Sequence, residues 1–497
     1  MSPLSKKAAL LAVLLIFLPA CHSESRKPAI VDGEFKSLSI LQDEWMEAFF
    51  QGKKIGYVHG VTSSGTLGGK EVQQVKSFAH IEMEVEGDKT FTQLEQTAYL
   101  DKDGHLFAFD YRQNIMEHRM SVRGERRGDK FFVEINAGDR RSKLYDWSKN
   151  LYTSVLLKQA LLDRKLKVGE EAVFDVLLEP LLAVEKVTVK LMAEESGFFR
   201  GEKTKLYRFE ERFKGIVGEL ILTAEGDTVE EVSPNGFRLV RAEKVDALAP
   251  AAPLSMAELL LSTRVKSNIK LQSPRDIKTL RVMLKNVPSD YPFIDDIHQS
   301  VVETVNKNDS VDYLLNVVSQ PVPERVLGLP ARDGSFEIYL GADHVINSDN
   351  KKILGLSREI AGSETSALEV ARKIYSWMDS NIGKRLVDTV SALDTLKSGE
   401  GECQAHANLY AALARAAGLP TKVISGIVYS TEYEGFMYHA WNEVWVGKWL
   451  AIDTILGGFP ADATHIKLAE GSFEAQLRIM ALIGKIEIEI INRVSKK

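Results

Sequence analysis

Two cysteines in 497 residues exclude a disulfide-built scaffold. Lysine and arginine number 63 against 69 aspartates and glutamates, for a net charge of −6. That balance excludes the basic stripe of a nucleic-acid partner. Beyond residue 20 no apolar run approaches the roughly 18 residues of a spanning helix. The ten histidines lack metal-ligand spacing, so neither a metal nor an organic cofactor is expected. There is no internal repeat and no low-complexity tract apart from the alanine and proline segment 247–254. What is present is ample apolar content, 44%, in a chain long enough for about three domains.

The amino terminus has a positive start at Lys6 and Lys7, an apolar stretch over 8–18, and small residues before Cys21. This is the layout of a signal peptide over 1–20. Leu18-Pro19-Ala20-Cys21 resembles a bacterial lipobox, which implies acylation of Cys21 and a lipid anchor in the membrane of the cell envelope. The residue after the cysteine is His22 and not an aspartate, which implies the outer membrane rather than the inner, on the periplasmic side. Residues 21–40 are polar and read as a tether. With Cys21 committed to lipid, Cys403 has no intramolecular partner. A solitary thiol in an exported protein is exposed to oxidation, and its presence is easiest to understand if it is used.

From about 41 to 250 the pattern is of antiparallel strands. Ile81, Met83 and Val85 alternate with Glu82, Glu84 and Glu86. Asp101-Lys-Asp-Gly104 and Arg127-Gly-Asp-Lys130 mark turns. The second contains Arg-Gly-Asp, but between two strands that tripeptide is a hairpin turn. Likewise Gly65-Thr-Leu-Gly-Gly-Lys70 lacks the spacing of a phosphate loop and has no helix after it. A helix is expected over 151–162. Segment 251–345 is mixed: a strand over 277–287, an ambiguous stretch over 309–320, and a strand over 336–340. After residue 363 the spacing turns helical, with Ser366-Ala-Leu-Glu369 as a capping box, followed by a loop over 388–402.

Residues 399–453 hold the chemistry. A small-residue helix opens at Cys403 and ends at Gly418-Leu-Pro420. A cysteine in a first helical turn is favoured as a thiolate by the dipole and the unpaired backbone N–H groups there. The same donors suit an oxyanion. Glu400 and Glu402 are expected to face solvent. Two strands follow, and His439 and Asp453 lie on them as a base and its orienting carboxylate. A tight turn at Gly447-Lys448 would put those two on opposite faces, whereas pairing Trp445 with Trp449 puts them on one. The second register is expected. His406, one turn from Cys403, is a weaker candidate base, and Glu443 is read as a structural hydrogen-bonding group.

Gly401-Glu-Cys403-Gln-Ala-His-Ala-Asn-Leu-Tyr, then His439-Ala-Trp-Asn-Glu-Val444, then Trp449-Leu-Ala-Ile-Asp453 resembles the core of the transglutaminase-like superfamily, papain-like in fold. The resemblance implies Cys403 as nucleophile, His439 as general base and acid, and Asp453 as its orienting residue, with no cofactor. Asp453-Thr-Ile departs from the family's frequent Asp-Pro-Thr. Asp462-Ala-Thr-His-Ile-Lys-Leu-Ala-Glu470 also resembles the tail of bacterial members. The expected fold class is therefore α+β: a transglutaminase-like domain over 346–497 preceded by a β-rich, mainly antiparallel half. The expected activity is acyl transfer from amides of a protein or peptide substrate in the cell envelope, hydrolytic rather than cross-linking. The alternative is a binding or scaffolding lipoprotein that no longer turns over.

Overall fold

The computed structural model describes residues 34–497 apart from 86, 116–117, 138, 180–181, 234–235, 325–326, 332–333, 386–390, 472 and 496–497. The signal peptide over 1–20, the acylated Cys21 and most of the tether lie outside the described residues. Two compact units divide the chain, the first reaching Met256 and the second running through Ala257–Lys497.

The first unit is one sixteen-stranded sheet. Its strands are β1 (Lys36–Phe50), β2 (Lys53–Leu67), β3 (Lys70–Val85), β4 (Asp88–Leu100), β5 (Leu106–Ile115), β6 (His118–Arg127), β7 (Lys130–Asn136), β8 (Arg140–Asp146), β9 (Leu151–Thr153), β10 (Glu171–Leu178), β11 (Ala183–Phe199), β12 (Glu202–Phe213), β13 (Ile216–Thr223), β14 (Thr228–Val232) and β15 (Phe237–Ala242). They follow chain order along two arms that join where β1 pairs with β15. Leu254–Ser255 adds a short parallel strand beside β3. The alternation read from Ile81, Met83 and Val85 places the first two in the core. Arg127 pairs with Lys130, so Gly128 and Asp129 form a two-residue turn, and Gly128 takes the positive φ of 67° such a turn demands.

Two local expectations for this unit need correction. Strand β1 begins at Lys36, inside the segment read as tether. Pairing of Lys36 with Thr66 on β2 orders this backbone although Leu38 and Ile40 stay exposed. The helix expected over 151–162 is only α1 (Leu157–Arg164), preceded by a 3₁₀ turn and by β9. Tyr152 and Thr153, aromatic and β-branched, suit the parallel pairing with β10 better than a helix.

In the second unit Thr421–Ser430 is flanked by Gly435–Trp445 and Ile466–Glu470, and Trp449–Ile452 extends this sheet beside Gly435–Trp445. A separate four-stranded sheet runs Gln299–Asn306, Ser310–Val318, Ile277–Pro288, Glu487–Ser495. The ambiguous stretch over 309–320 is thus a strand. Residues 336–340 are not: Gly334–Phe336 is a 3₁₀ turn and Glu337–Leu340 a helical one. Helical spacing puts Phe336 and Tyr339 on one side, and both rings pack on Trp449, at 6.2 and 5.1 Å between centroids. A strand would split them between two faces. The expected loop over 388–402 contains the helix Ala392–Ser398, capped by Ser391 and ended by Gly399. Ser366 caps Ala367–Asn381 as expected, but its own N–H goes to Glu364 and not to Glu369.

Candidate active site

Alanine-rich sequence lets the helix Cys403–Ala416 pack deeply, and Ala405, Leu409, Tyr410, Ala412 and Leu413 have no exposed surface. Its surroundings hold it by polar bonds as well. The Tyr410 hydroxyl donates to the Ala371 carbonyl at 2.9 Å and the Ser357 hydroxyl to the Leu413 carbonyl at 2.7 Å. From the sheet, the Asn442 side-chain amide donates to Ala407 O at 3.0 Å and Lys422 O at 3.2 Å. Gly418 closes the helix at φ +77°, and a Cβ there would lie 2.7 Å from Cβ of Pro330. Position 418 therefore needs glycine for both its backbone and its packing.

Cys403 is wholly buried at the first position of this helix. Glu402 does not face solvent as expected: it is 7% exposed and serves as the N-cap. Its carboxylate accepts from the N–H of Gln404 at 2.8 Å and of Ala405 at 2.9 Å, and the Cys403 thiol donates to Oε2 at 3.0 Å. Burial pushes the Glu402 carboxyl up, and these donors and the charge of His439 pull it partly back. Two of the helix-start donors expected to serve a thiolate or an oxyanion are therefore already taken. A carboxylate at this distance opposes ionisation of the sulfur. Glu402→Gln keeps an acceptor for the cap and removes the charge, so its thiol should titrate lower. Alkylation by iodoacetamide near neutral pH should quicken about tenfold, one pKa unit. An unmoved pH–rate midpoint would show that Glu402 carries no charge beside the sulfur.

Across from the helix, Trp445 pairs with Trp449 and Asn442 with Ile452, the register that puts His439 and Asp453 on one face. His439 Nε2 lies 3.0 Å from Asp453 Oδ2, and both residues are 1% exposed. The other oxygen, Oδ1, accepts from the N–H of Ile455 at 2.8 Å and of Leu456 at 3.1 Å. Those two bonds fix the carboxylate plane. With Nε2–H donated to Asp453, Nδ1 is the ring nitrogen of His439 left to take a proton.

A second histidine, to which the sequence reading assigned no role, shares this carboxylate. His465 Nε2 is 3.1 Å from Asp453 Oδ2, and its Nδ1 is 3.3 Å from Asp462 Oδ2. Asp462 is tied in turn to Arg275 at 2.6 Å and to Thr464. Burial disfavours the imidazolium, but Asp462 and Asp453 outweigh it and raise the His465 pKa to about 9. For Asp453, burial acts upward, and the charges and hydrogen bonds of His439 and His465 hold the carboxyl well below the usual range. The Asp462-x-x-His465 spacing was the one sequence signal of this cluster.

A histidine whose folded pKa is raised stabilises the fold fully below its unfolded value of 6.5, and loses that contribution as pH rises through about 9. The shift corresponds to about 3 kcal/mol. Urea unfolding of the second unit should therefore weaken between those two pH values, and His465→Gln should flatten the dependence. Equal slopes in parent and variant would contradict a charged His465.

Other nearby groups are structural. His406 contacts the Gly383 carbonyl at 3.3 Å and the Thr454 hydroxyl at 3.4 Å, and burial lowers its pKa to about 4. Glu443 pairs at 2.7 Å with the fully buried Lys467, which also bonds Asp296. His439, Asp453 and His465 present ligand atoms within 4.8 Å of one another, as do Asp296, Glu443 and Glu470. In the first group the carboxylate already receives both imidazoles; in the second the ammonium of Lys467 pairs with all three carboxylates.

The family model described as the transglutaminase-like superfamily matches residues 355–454. No curated protein sequence matches the chain. Among solved structures, a candidate cysteine protease from Cytophaga hutchinsonii aligns at 18% identity and a TM-score of 0.29, over 44% of this chain and 85% of that one. A β-barrel-like protein of a domain of unknown function from Brucella abortus aligns at 9% identity and 0.31, over 40% and 95%. A candidate protease from Parabacteroides distasonis aligns at 11% and 0.18, over 73% and 70%.

Proposed function

We propose that this chain, which carries a transglutaminase-like domain at residues 355–454, is a cysteine acyl-transfer enzyme acting on amide bonds of proteins or peptides. The observation that carries the reading is the buried His439–Asp453 pair at 3.0 Å, set in the Trp445–Trp449 register beside the helix that opens at Cys403. His439 Nδ1 takes the thiol proton as Sγ of Cys403 adds to the amide carbonyl. The tetrahedral adduct collapses with cleavage of the C–N bond, and the imidazolium returns its proton to the leaving amine. Water, deprotonated by the same nitrogen, then attacks the thioester, releasing the acid and the thiol. Gln404 and Ala405 N–H are held by Glu402, so the oxyanion is served by other donors. Hydrolysis is the preferred outcome over transfer to an amine. Cys21 anchors the protein by lipid in the bacterial envelope, where its substrates are.

One observation favours the second reading, a binding or scaffolding module: Cys403 has no exposed surface and its thiol is engaged by Glu402. Incubating the chain with a peptide p-nitroanilide separates the two. The enzyme releases nitroaniline and carries the acyl mass on the Cys403 peptide after acid quenching. Absence of the adduct, together with a thiol titrating at the ordinary value of about 8.5, would leave the binding module.

A further inference from the structure

The first unit has an interior with chemistry of its own, independent of the acyl-transfer reading. Its sheet faces inward around a cavity of about 200 Å³. Met46, Leu157, Val176, Phe213 and Ile216 supply apolar wall, and two carboxyl side chains, Glu211 and Glu231, join them in the lining. The strand register explains why both point the same way. Glu211 on β12 lies opposite Gly218 on β13, and Glu231 on β14 lies opposite Leu220. Residues 218 and 220 share a face of β13, so all four do. Gly218 has no side chain to separate the two acids.

The neighbouring charges are already spent. Glu44 accepts from Arg241 at 2.7 Å and from the Thr228 N–H at 2.8 Å, and pairs with Lys158 at 2.5 Å. Among the described residues the carboxyl groups of Glu211 and Glu231 have neither a hydrogen-bond partner nor an ion-pair partner. Both are half-buried and line the cavity. Burial raises the Glu211 carboxyl to about 7; burial and the charge of Glu211 raise Glu231 to about 8 against the pull of Lys158. Two adjacent acids in an apolar wall are costly to ionise unless a cation joins them.

We infer that this cavity binds a single-chain amphiphile with a protonated amine head, the ammonium lying between Glu211 and Glu231 and the alkyl chain against Met46, Leu157, Phe213 and Ile216. An anionic head would meet two carboxyls, since Lys158 and Arg241 are held by Glu44. A small hydrated cation would leave the apolar wall bare.

The test titrates the full chain, by calorimetry at mildly alkaline pH, with decylamine, decanol and decanoate. Decylamine should bind at one saturable site at least tenfold tighter than the other two. Each methylene from hexylamine to decylamine should tighten binding roughly fourfold. Because the amine displaces protons from Glu211 and Glu231, its heat should depend on the buffer and its affinity should fall as pH drops below about 7. Lys158 from α1, Glu44 from β1 and Lys76 from β3 also line this space, Arg241 from β15 is bound to Glu44, and Glu219 pairs with Arg208 on the other face of β13. Glu211→Gln with Glu231→Gln should bring decylamine to the affinity of decanol. Gly60→Leu should weaken all three ligands, because a Cβ at 60 has its nearest neighbour 3.8 Å away, leaving room for a side chain that fills the cavity. Equal affinity for the three probes on the unaltered chain, preference for decanoate, or no saturable binding each overturns the inference.

Discussion

Cys403→Ala should reduce amide hydrolysis to background, a loss on the order of 10⁶-fold by analogy with removal of a nucleophile that acts as a unit with its base. The same variant should keep its fold. Cys403 has no exposed surface, and alanine is compatible with the small-residue helix around it. The thiol donates a hydrogen bond to Glu402, whose carboxylate stays engaged by Gln404 and Ala405. Losing that bond costs about 1 kcal/mol. The measurement is kcat/KM on a peptide anilide beside a thermal melt. Hydrolysis that survives in a folded Cys403→Ala protein would refute the assignment of the sulfur.

Asp453→Asn should cost about 10⁴-fold in kcat, because an amide cannot enforce the tautomer in which His439 presents Nδ1 as base. Here the change reaches further than a single imidazole. An asparagine can still accept from Ile455 and Leu456 through one oxygen, but it then turns an NH₂ towards Nε2 of both His439 and His465. His465 loses one of its two counter-charges while remaining fully buried. Breaking one side of such a pair is expected to cost roughly 3–5 kcal/mol. Activity and stability should therefore fall together in Asp453→Asn, whereas in Cys403→Ala only activity falls. An Asp453→Asn enzyme within tenfold of the parent would show that Asp453 does not orient the base.

Much of this site could be read in the sequence because its parts are local. The helix that opens at Cys403 is bounded by Gly418 and Pro420, and of the two hairpin registers open at Gly447-Lys448 only the pairing of Trp445 with Trp449 keeps His439 and Asp453 on one face. Glu402 was misread because an N-cap is ordinarily a short side chain. Nothing in its neighbours tells a glutamate folded back onto its own helix from one in solvent. The role of His465 depends on a contact with Asp453 made after the chain turns through 457–460, which no periodicity encodes. At 336–340 a strand and a single helical turn give the same short apolar run, and only the distant Trp449 decides between them. The cavity of the first unit is hidden for another reason: Glu211 interrupts the apolar phase set by Phe209 and Phe213, but only the pairing of β12 and β14 with β13 brings it to the same face as Glu231.

The last described strand, Glu487–Ser495, pairs along Ile277–Pro288, and this sets an order of events in folding. Ile277–Pro288 can pair with Ser310–Val318 early, but its other edge stays open until some two hundred residues have been made. This four-stranded sheet is thus closed last. A nascent chain presents an unpaired edge throughout that interval, the state most prone to wrong pairing with another copy. Loss of the final strand would fix the molecule in that state, although it removes none of Cys403, His439 and Asp453.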